Sequence, residues 1–330
     1  MQIHKRYILK PKVKGGESTL STLQFLATSY SLISLMCATA YVSVWGFNMP
    51  AHLLPRFWTA ILGGAIANFF IQFLNAKAAS IDQGEVSLTA PLQSMTPGLI
   101  IGLAILLNEY PGKVGVMGVF AMATASYIIL CVKDKTTGKY NYTGPLKRLT
   151  LLLKLGKLSK EERGQTLVVA MAFVSALMDT VGLLFDGLYT RRGGDMQGLM
   201  MAIIALIGSL GLSYTIWYFV KPDSSPAQKT NFFSVISGKK MIGLIVLFAV
   251  VWSLHWILIQ PTFNKAFVAY VGTLKRFHII IGVVLGHILF KEGDFKKRLG
   301  AALLIILGAV LISMDGLPAR VSAKIEGLGF

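Results

Sequence analysis

Two carboxylates inside one apolar stretch are the side chains of this sequence with the greatest capacity for chemistry. Asp179 lies near the middle of the apolar run 166–190, and Asp186 follows seven residues later on the same helical face. An acid at membrane depth is costly and usually faces a cavity, where it can bind a proton or a cation. Asp179 is therefore a candidate for proton or ion coupling, with an ion pair to a neighbouring helix as the open alternative. For Asp186, a structural pairing with Arg191 or Arg192 is favoured.

An amide stripe on another apolar run is a candidate for substrate binding. Asn68, Gln72 and Asn75 recur at intervals of four and three residues in the run 58–79, which places them on one helical face. Amides on a lipid-embedded helix face either a wet cavity or other helices. The stripe predicts that these side chains line a cavity. The alternative is that they form hydrogen bonds to other helices.

An aromatic stripe on the run 241–262 is a second candidate. Trp252, His255, Trp256 and Gln260 share a face, and the two indoles lie too deep for an interfacial belt. Their flat faces could bind an organic substrate. Ordinary packing of bulky side chains is the alternative.

The remaining substrate-binding candidates lie near interrupted backbone or at the start of an apolar run. They are Thr89, Gln93, Tyr270, Thr273, Lys275 and Arg276. Pro91 and Pro97 remove backbone hydrogen bonds around the first two, and ligand sites of membrane proteins form at such interruptions. The last two are cations, which could attract a carboxylate or phosphate of a substrate. Alternatively, they pair with an acid or extend to the interface.

No established catalytic constellation accompanies these candidates. The sequence contains no HExxH, C-x-x-C, P-loop or G-x-S-x-G motif. Its five histidines are dispersed, so neither a metal site nor a cofactor is predicted. These observations predict that the protein is not an enzyme.

Composition restricts the class of protein. The 330 residues include 54% hydrophobic and 14% charged side chains, and the mean hydropathy is +0.63. Soluble domains carry about 25% charged residues, so a soluble or disordered chain is excluded. The net charge of +17 lies between apolar runs, which favours basic loops beside a bilayer over nucleic-acid binding. The predicted partners are the lipid bilayer and a small-molecule substrate, and a homodimer is left open.

Nine apolar runs are long enough to cross about 30 Å of hydrocarbon as helices. They cover 21–46, 58–79, 86–107, 113–132, 166–190, 197–219, 241–262, 267–290 and 298–314. The sequence therefore predicts an all-α polytopic membrane protein. In the link 133–164, the basic stretch Pro145–Leu158 predicts an interfacial helix, with a solvated loop as the alternative. Ser159–Glu162 predicts a capping box before the next run.

A glycine pattern repeats on the two sides of this link. Gly98 and Gly102 correspond to Gly282 and Gly286, and Glu109 corresponds to Glu292. Glycines four residues apart let helices approach closely, so these glycines and acids are predicted to be structural. The matched helices are five spans apart and cross in opposite senses. Inverted repeats of this kind build secondary transporters.

These repeated segments resemble the signature regions of the EamA-type transporters of the drug/metabolite transporter (DMT) superfamily. The second copy, with Gly272–Arg276, Phe290–Glu292 and Leu299–Gly300, is the closer match. The resemblance implies two five-helix inverted repeats around a central cavity. Nine spans are found here and none matches the family's first helix, so either that helix lies upstream of Met1 or the protein works without it. The resemblance divides the chain into a basic tail 1–18, a first repeat 19–132, a basic link 133–164, a second repeat 165–316 and a C-terminal tail 317–330.

The resemblance also implies a function. Such a protein would be a secondary transporter that moves a small organic metabolite, amino-acid-like or amphipathic, by alternating access at a midplane cavity. Export and proton coupling at Asp179 are expected features. A non-transporting scaffold or receptor on the same fold is the alternative, and an intramembrane enzyme is a less favoured one.

The distribution of basic residues predicts the orientation. Twenty-two of the 32 Lys and Arg residues fall on one side of nine alternating spans, and seven fall on the other. Positive charge is enriched in cytoplasmic loops. The sequence therefore predicts an inner (cell) membrane protein whose N-terminus and link 133–164 are cytoplasmic.

Overall fold

The computed structural model describes the greater part of the predicted helical regions. The residues described are 21–81, 96, 99, 112–133, 140–142, 160–220, 239–264, 283–284, 287–288 and 294–315. Apart from one pair of two-residue strands, the regular structure among them is helical. The prediction of an all-α polytopic protein is confirmed.

Seven α-helices are described. They are α1 (Thr22–Trp45), α2 (Phe57–Ser80), α3 (Lys113–Leu130), α4 (Lys160–Arg192), α5 (Met196–Val220), α6 (Lys239–Ile259) and α7 (Phe295–Met314). A 3-10 helix, Gln260–Asn264, follows α6 directly. The strands β1 (Val132–Lys133) and β2 (Tyr140–Asn141) pair antiparallel after α3.

Among the described residues, five helical segments are long and apolar enough to cross a membrane. They are Thr22–Trp45, Phe57–Ser80, Thr166–Arg192, Met196–Val220 and Ile242–Phe263. The chain is therefore a multi-pass membrane protein. The predicted spans 86–107 and 267–290 lie outside the described residues, apart from isolated positions, so the total of nine spans stays a prediction.

Two helix boundaries differ from those expected from hydropathy. Helix α4 begins at Lys160, ahead of the apolar run, because a helix can continue into water where hydropathy gives no signal. The run 241–262 changes from α-helix to 3-10 helix at Gln260, directly before Pro261. Proline lacks an N–H donor and disfavours α-helical geometry in the preceding residue.

The chain divides into two compact units. Unit 1 comprises Met1–Ser80 and Val181–Lys265, and unit 2 comprises Ile81–Thr180 and Ala266–Phe330. The separation into two sequential repeats stays a prediction, as do the interfacial helix and the matched glycines, which lie outside the described residues.

Unit 1 is held together by close helix contacts at small residues. Helix α1 packs against α5 and α6, and α2 packs against α5. A Cβ atom added to Gly211 would lie 2.8 Å from the backbone nitrogen of Ser31, and one on Gly208 would lie 3.0 Å from Ser34 Oγ. Lipid provides no hydrophobic drive for helix association, so such close backbone packing is a main source of affinity between helices.

Unit 2 contains a second close crossing, between α3 and α7. A Cβ atom on Gly308 would lie 2.5 Å from the carbonyl oxygen of Gly118 and 2.6 Å from Met122 Cγ. The backbones therefore meet at this point with no room for a side chain. At the start of α3, the backbone N–H of Gly112 donates a hydrogen bond to Asp315 Oδ2.

Replacing Asp315 by alanine is expected to lower the free energy of unfolding by about 1–2 kcal/mol. The carboxylate accepts a hydrogen bond from an N–H at the start of α3, and a negative charge there also interacts favourably with the helix dipole. Thermal unfolding of the protein in detergent measures the effect. Asp315→Asn is the matched control, since its side chain keeps a hydrogen-bond acceptor. It should lower the free energy of unfolding by less than half as much as Asp315→Ala does. Equal losses for the two variants would contradict this assignment.

Candidate functional site

A buried polar network lies in unit 1 where α4 meets the end of α6. The hydroxyl of Tyr189 donates a hydrogen bond to Asp186 Oδ1 over 3.0 Å, and it accepts one from Gln260 Nε2. The three side chains are at most 5% exposed. We call these three residues the Tyr189 network. It orients a carboxylate, a phenol and an amide within a membrane-spanning segment.

Local sequence explains why two of these groups meet, and tertiary packing brings in the third. Asp186 and Tyr189 are three residues apart and lie on one face of α4. Gln260 lies where the α-helix gives way to the 3-10 helix. The Nε–H of Arg191 donates to the carbonyl oxygen of Phe263 over 3.4 Å, which ties the 3-10 helix to the end of α4.

Two polar atoms, one in this network and one in the residue that follows Tyr189, have no hydrogen-bond partner within the part of the chain that the structure describes. They are Gln260 Oε1 and Thr190 Oγ1, and both residues are at most 1% exposed. A buried polar group without a partner costs about 1–3 kcal/mol. Each of these atoms therefore has hydrogen-bonding capacity that the described residues do not use.

The aromatic stripe of α6 forms a packed ladder. The ring of Trp252 stacks on His255 with centroids 4.8 Å apart and an angle of 3° between the planes. Trp256 meets Trp252 edge to face at 6.5 Å, and Phe248 stacks on its other side at 6.1 Å. Trp256 itself is 6% exposed. Substrate binding by this stripe stays a prediction.

The amide stripe of α2 is buried, and its Asn68 member lies close to α4. Asn68 Nδ2 donates to the carbonyl oxygen of Gly64 over 2.9 Å, and all three amide side chains are buried. A Cβ atom on Gly182 of α4 would lie 3.8 Å from Asn68 Nδ2 and 3.1 Å from Ile71 Cδ1. The stripe thus begins at a close contact with α4, and its proposed role in substrate binding is untested.

Asp179 forms a separate polar site in unit 2. Its Oδ2 lies 3.1 Å from the hydroxyl of Thr96, which also lies 3.4 Å from the carbonyl oxygen of Ala176. Thr96 is fully buried, whereas Asp179 is only partly buried. The arrangement fixes one oxygen of a carboxylate that has some access to its surroundings.

The other predicted site residues lie outside the described part of the chain. These are Thr89, Gln93, Tyr270, Thr273, Lys275, Arg276, Gly98, Gly102, Glu109, Gly282, Gly286 and Glu292. Among the described residues there is no group of three or more His, Cys, Asp or Glu side chains that could hold a metal ion.

Neither Tyr189 nor Thr190 stands out in the sequence as a candidate site residue. Tyr189 stands near the end of an apolar run, where a tyrosine is typical of a membrane interface. Its spacing of three residues from Asp186 was a usable signal, because such residues are neighbours on a helix. Its contact with Gln260 depends on tertiary packing and has no signature in the sequence.

The strength of the Tyr189–Gln260 contact can be measured with a double-mutant cycle. Tyr189→Phe alone is expected to destabilise the protein by about 1–3 kcal/mol, since it leaves buried partners unpaired. With Gln260→Leu and the double variant, the coupling energy should reach about 1 kcal/mol. Thermal unfolding in detergent supplies the four values. Additive effects would show that the two groups do not interact.

Comparison with known proteins gives partial matches to a transferase. The chain is 34% identical over 110 residues to the phospho-N-acetylmuramoyl-pentapeptide-transferase of Bacillus thuringiensis (strain Al Hakam). The same values hold for those of Bacillus cereus (strain AH187) and Bacillus anthracis (strain A0248). Each match covers 33% of this chain, which spans about a third (32%) of the length of these relatives. No family model matches the chain.

A solved structure has a similar fold over most of the chain. One crystal structure of a protein superposes with a TM-score of 0.55 at 14% identity, covering 89% of this chain and 88% of that one. At this level of identity the likeness concerns the fold alone. It agrees with the helical architecture described above.

These comparisons correct three predictions. Membership of the EamA-type family is wrong, because no model of that family matches and the curated relatives are transferases. The predictions of a transporter and of a protein that is not an enzyme are wrong for the same reason. Paired glycines, acids at span ends and polar stripes serve close packing and buried hydrogen bonding in any polytopic helix bundle. They therefore do not discriminate a carrier from a membrane-embedded enzyme.

Proposed function

We propose that this protein is a membrane-embedded transferase that acts on a phosphate-linked group. The observation that carries the proposal is its 34% identity over 110 residues to enzymes named for transfer of phospho-N-acetylmuramoyl-pentapeptide. Polar side chains at membrane depth are costly and usually mark a functional site, which is compatible with such an enzyme.

The transfer has simple bond chemistry. An oxygen atom of the acceptor forms a new bond to phosphorus, and the bond between phosphorus and the oxygen of the leaving group breaks. The leaving group departs with the electron pair, and an acceptor hydroxyl gives up its proton. Such reactions depend on positioning and on electrostatic stabilisation. The protein must therefore bind the reactants in a fixed geometry. It must also supply a group that accepts the proton of the acceptor hydroxyl.

We assign Asp179 to this role. Its Oδ2 is held by the hydroxyl of Thr96 at 3.1 Å, so the carboxylate has a defined orientation. Asp179 is partly accessible, unlike Asp186, which is 5% exposed and accepts a hydrogen bond from Tyr189. A carboxylate in this position can accept the proton of an acceptor hydroxyl.

The depth of Asp179 bears on the type of acceptor. It lies within Thr166–Arg192, a segment long and apolar enough to cross a membrane. A group at that depth is most easily reached by a lipid-borne molecule. We therefore infer an acceptor that is dissolved in the bilayer.

We further infer that the protein resides in the inner (cell) membrane with the basic link 133–164 in the cytoplasm. The excess of Lys and Arg residues on one side of the predicted spans supports this orientation. Cysteine variants placed at Lys133 and Arg56, on opposite predicted sides, would test it with a membrane-impermeant thiol reagent in intact cells. Labelling of the Lys133 site alone would contradict the inference.

The experiment that tests the function is a transfer assay with the purified, reconstituted full chain. Vesicles of extracted bacterial lipids are incubated with an activated ³²P donor of the phospho-N-acetylmuramoyl-pentapeptide group. Matched donors of phospho-N-acetylhexosamine and phosphohexose are tested in parallel. The expected result is time-dependent appearance of ³²P in the organic-solvent extract. Heat-denatured protein is the control, and equal label from native and denatured protein with all three donors would overturn the proposal.

A further inference from the structure

Two links between membrane-spanning helices lie side by side in unit 1. The connector 46–56 joins α1 to α2, and the turn 193–195 joins α4 to α5. All four helices include segments that are long and apolar enough to cross a membrane. A chain that leaves one span and enters the next must reverse at a boundary of the bilayer. The connector and the turn therefore lie where the lipid chains meet the headgroups and water.

Hydrogen bonds hold the connector against the end of α4 and the start of α5. The backbone N–H of Leu54 donates to the carbonyl oxygen of Arg192 over 2.9 Å. Gln197 Nε2 donates to the carbonyl oxygen of Asn48 over 3.0 Å. A Cβ atom added to Gly194 would lie 2.9 Å from a backbone carbonyl oxygen of the connector. The connector therefore follows a fixed course, and both links lie at the same boundary.

The connector carries large apolar side chains that the protein itself does not cover. Phe47 is 91% exposed, Met49 is 63% exposed and Leu54 is 52% exposed. Trp58 in the first turn of α2 and Met196 at the start of α5 are exposed as well. Such a group of apolar side chains is uncommon on a surface that faces water, and it indicates contact with a membrane or with another protein.

The charge beside these side chains favours a membrane. Arg56 in the connector and Arg191 at the end of α4 are exposed cations. The connector contains no acid, and the turn contains one, Asp195, whose Oδ1 accepts a hydrogen bond from the backbone N–H of Gly198. A phospholipid presents a phosphate directly above its hydrocarbon chains, so arginines next to apolar side chains complement it. The position at the end of four spans also places lipid next to the connector.

We propose that the connector 46–56 is a lipid-binding anchor that inserts into the leaflet at its own end of the spans. Phe47, Met49 and Leu54 lie among the lipid chains next to the headgroups, and Arg56 and Arg191 lie at the level of the phosphates. The partner of this surface is the phospholipid of the surrounding bilayer. The anchor fixes the depth of the adjoining ends of α1 and α2. This inference is independent of the proposed transferase activity, which we assign to Asp179 in unit 2.

The test uses nitroxide spin labels on the full-length protein in vesicles of phosphatidylcholine and phosphatidylglycerol. Oxygen concentrates in lipid, whereas a neutral nickel chelate stays in water. The ratio of the label's collision rates with oxygen and with the chelate, measured by electron paramagnetic resonance, therefore reports whether the label lies in lipid. The labelled variant is Phe47→Cys, and Met49→Cys is a second one. The native Cys37 and Cys131 are buried and are replaced by alanine in every variant.

A label at Asp195 is the matched control, because this residue is exposed at the same boundary but is polar. The ratio of oxygen to chelate collisions at Phe47→Cys should exceed the ratio at Asp195→Cys about threefold, since interfacial apolar side chains lie about 5–10 Å into the boundary between headgroups and lipid chains. Met49→Cys should show the same excess. Phe47 is almost fully exposed, so its replacement is expected to leave the packing of the helices unchanged.

Each outcome either supports or overturns the anchor. A higher ratio at Phe47 and Met49 than at Asp195, with frequent oxygen collisions, supports it. Equal ratios with frequent chelate collisions at all three positions would place the connector in water and overturn it. Rare collisions of the Phe47 label with both reagents would show that a second copy or another protein covers the connector, which also overturns it. A negative transfer assay leaves the result unaffected, because the readout is the position of the label alone.

Discussion

The variant Gly308→Leu is expected to prevent stable folding of unit 2. A Cβ atom at Gly308 would lie 2.5 Å from the carbonyl oxygen of Gly118, and the added side chain has no space beyond it. The obstacle is backbone, so neither helix can relieve the clash by changing a rotamer. Overpacking costs about 1–3 kcal/mol where side chains can adjust, and here we expect about 3 kcal/mol or more. Folded yield by size-exclusion chromatography and the unfolding temperature in detergent measure the loss.

The same helix provides the control for this prediction. Gly300 also lies in α7, and an added Cβ atom there would meet nothing within 4 Å. Gly300→Leu should therefore fold with nearly native stability, since leucine is also the better helix former. If the two variants behave alike, close packing of α3 on α7 does not hold unit 2 together.

The variant Asp179→Asn is expected to lower the rate of the proposed transfer reaction by about 10²- to 10⁴-fold, the range typical of a lost general base. Asparagine keeps the size of the side chain and an oxygen that can accept the hydrogen bond from Thr96. It cannot take up a proton or balance a positive charge. The initial rate of ³²P transfer into the lipid extract measures the effect.

A matched change elsewhere separates chemistry from folding. Asp195→Asn makes the same substitution at an exposed helix N-cap, where asparagine serves as well as aspartate. Its transfer rate should stay within about twofold of the native rate. Thr96→Val should lower the transfer rate to an intermediate extent. It removes the hydrogen bond that orients the carboxylate of Asp179 but leaves the carboxylate in place. An Asp179→Asn protein that is folded and keeps its full rate would exclude Asp179 from the reaction.

The helices of this protein could be predicted from hydropathy because lipid imposes length and apolarity on every span. The run 197–219 became α5, Met196–Val220, and the run 58–79 became α2, Phe57–Ser80. The sequence did not locate the boundaries that this constraint does not govern. These are the start of α4 at Lys160, ahead of the apolar segment, and the change to 3-10 helix at Gln260, directly before Pro261. Helix propensity and proline geometry decide those positions.

The packing contacts were harder to predict because glycine is common in membrane helices. Gly208 and Gly211 of α5, and Gly118 with Gly308, make close interhelical contacts among the described residues. Their partners are on other helices, and no spacing in one segment reveals them. The Tyr189 network shows the same limit, since only its Asp186 and Gln260 members could be singled out by polarity.

Function was the least predictable property. The sequence offered Asp179 as an acid at membrane depth, and the structure gives it a partner in Thr96. That observation is equally compatible with carrying a proton for transport and with accepting one during a reaction. The distinction depends on a substrate, which side-chain polarity alone does not specify.

Helix α4 is long enough to extend beyond the bilayer. Its 33 residues correspond to about 50 Å, whereas the hydrocarbon layer is about 30 Å thick. The apolar segment begins only at Thr166, so the six residues before it, a rise of about 9 Å, extend from the amino-terminal end. We expect that end to lie at the level of the phospholipid headgroups. A thinner or thicker bilayer would change how far the helix extends beyond the hydrocarbon layer. Deuterium uptake by its amides in nanodiscs of graded acyl-chain length would report that protrusion directly.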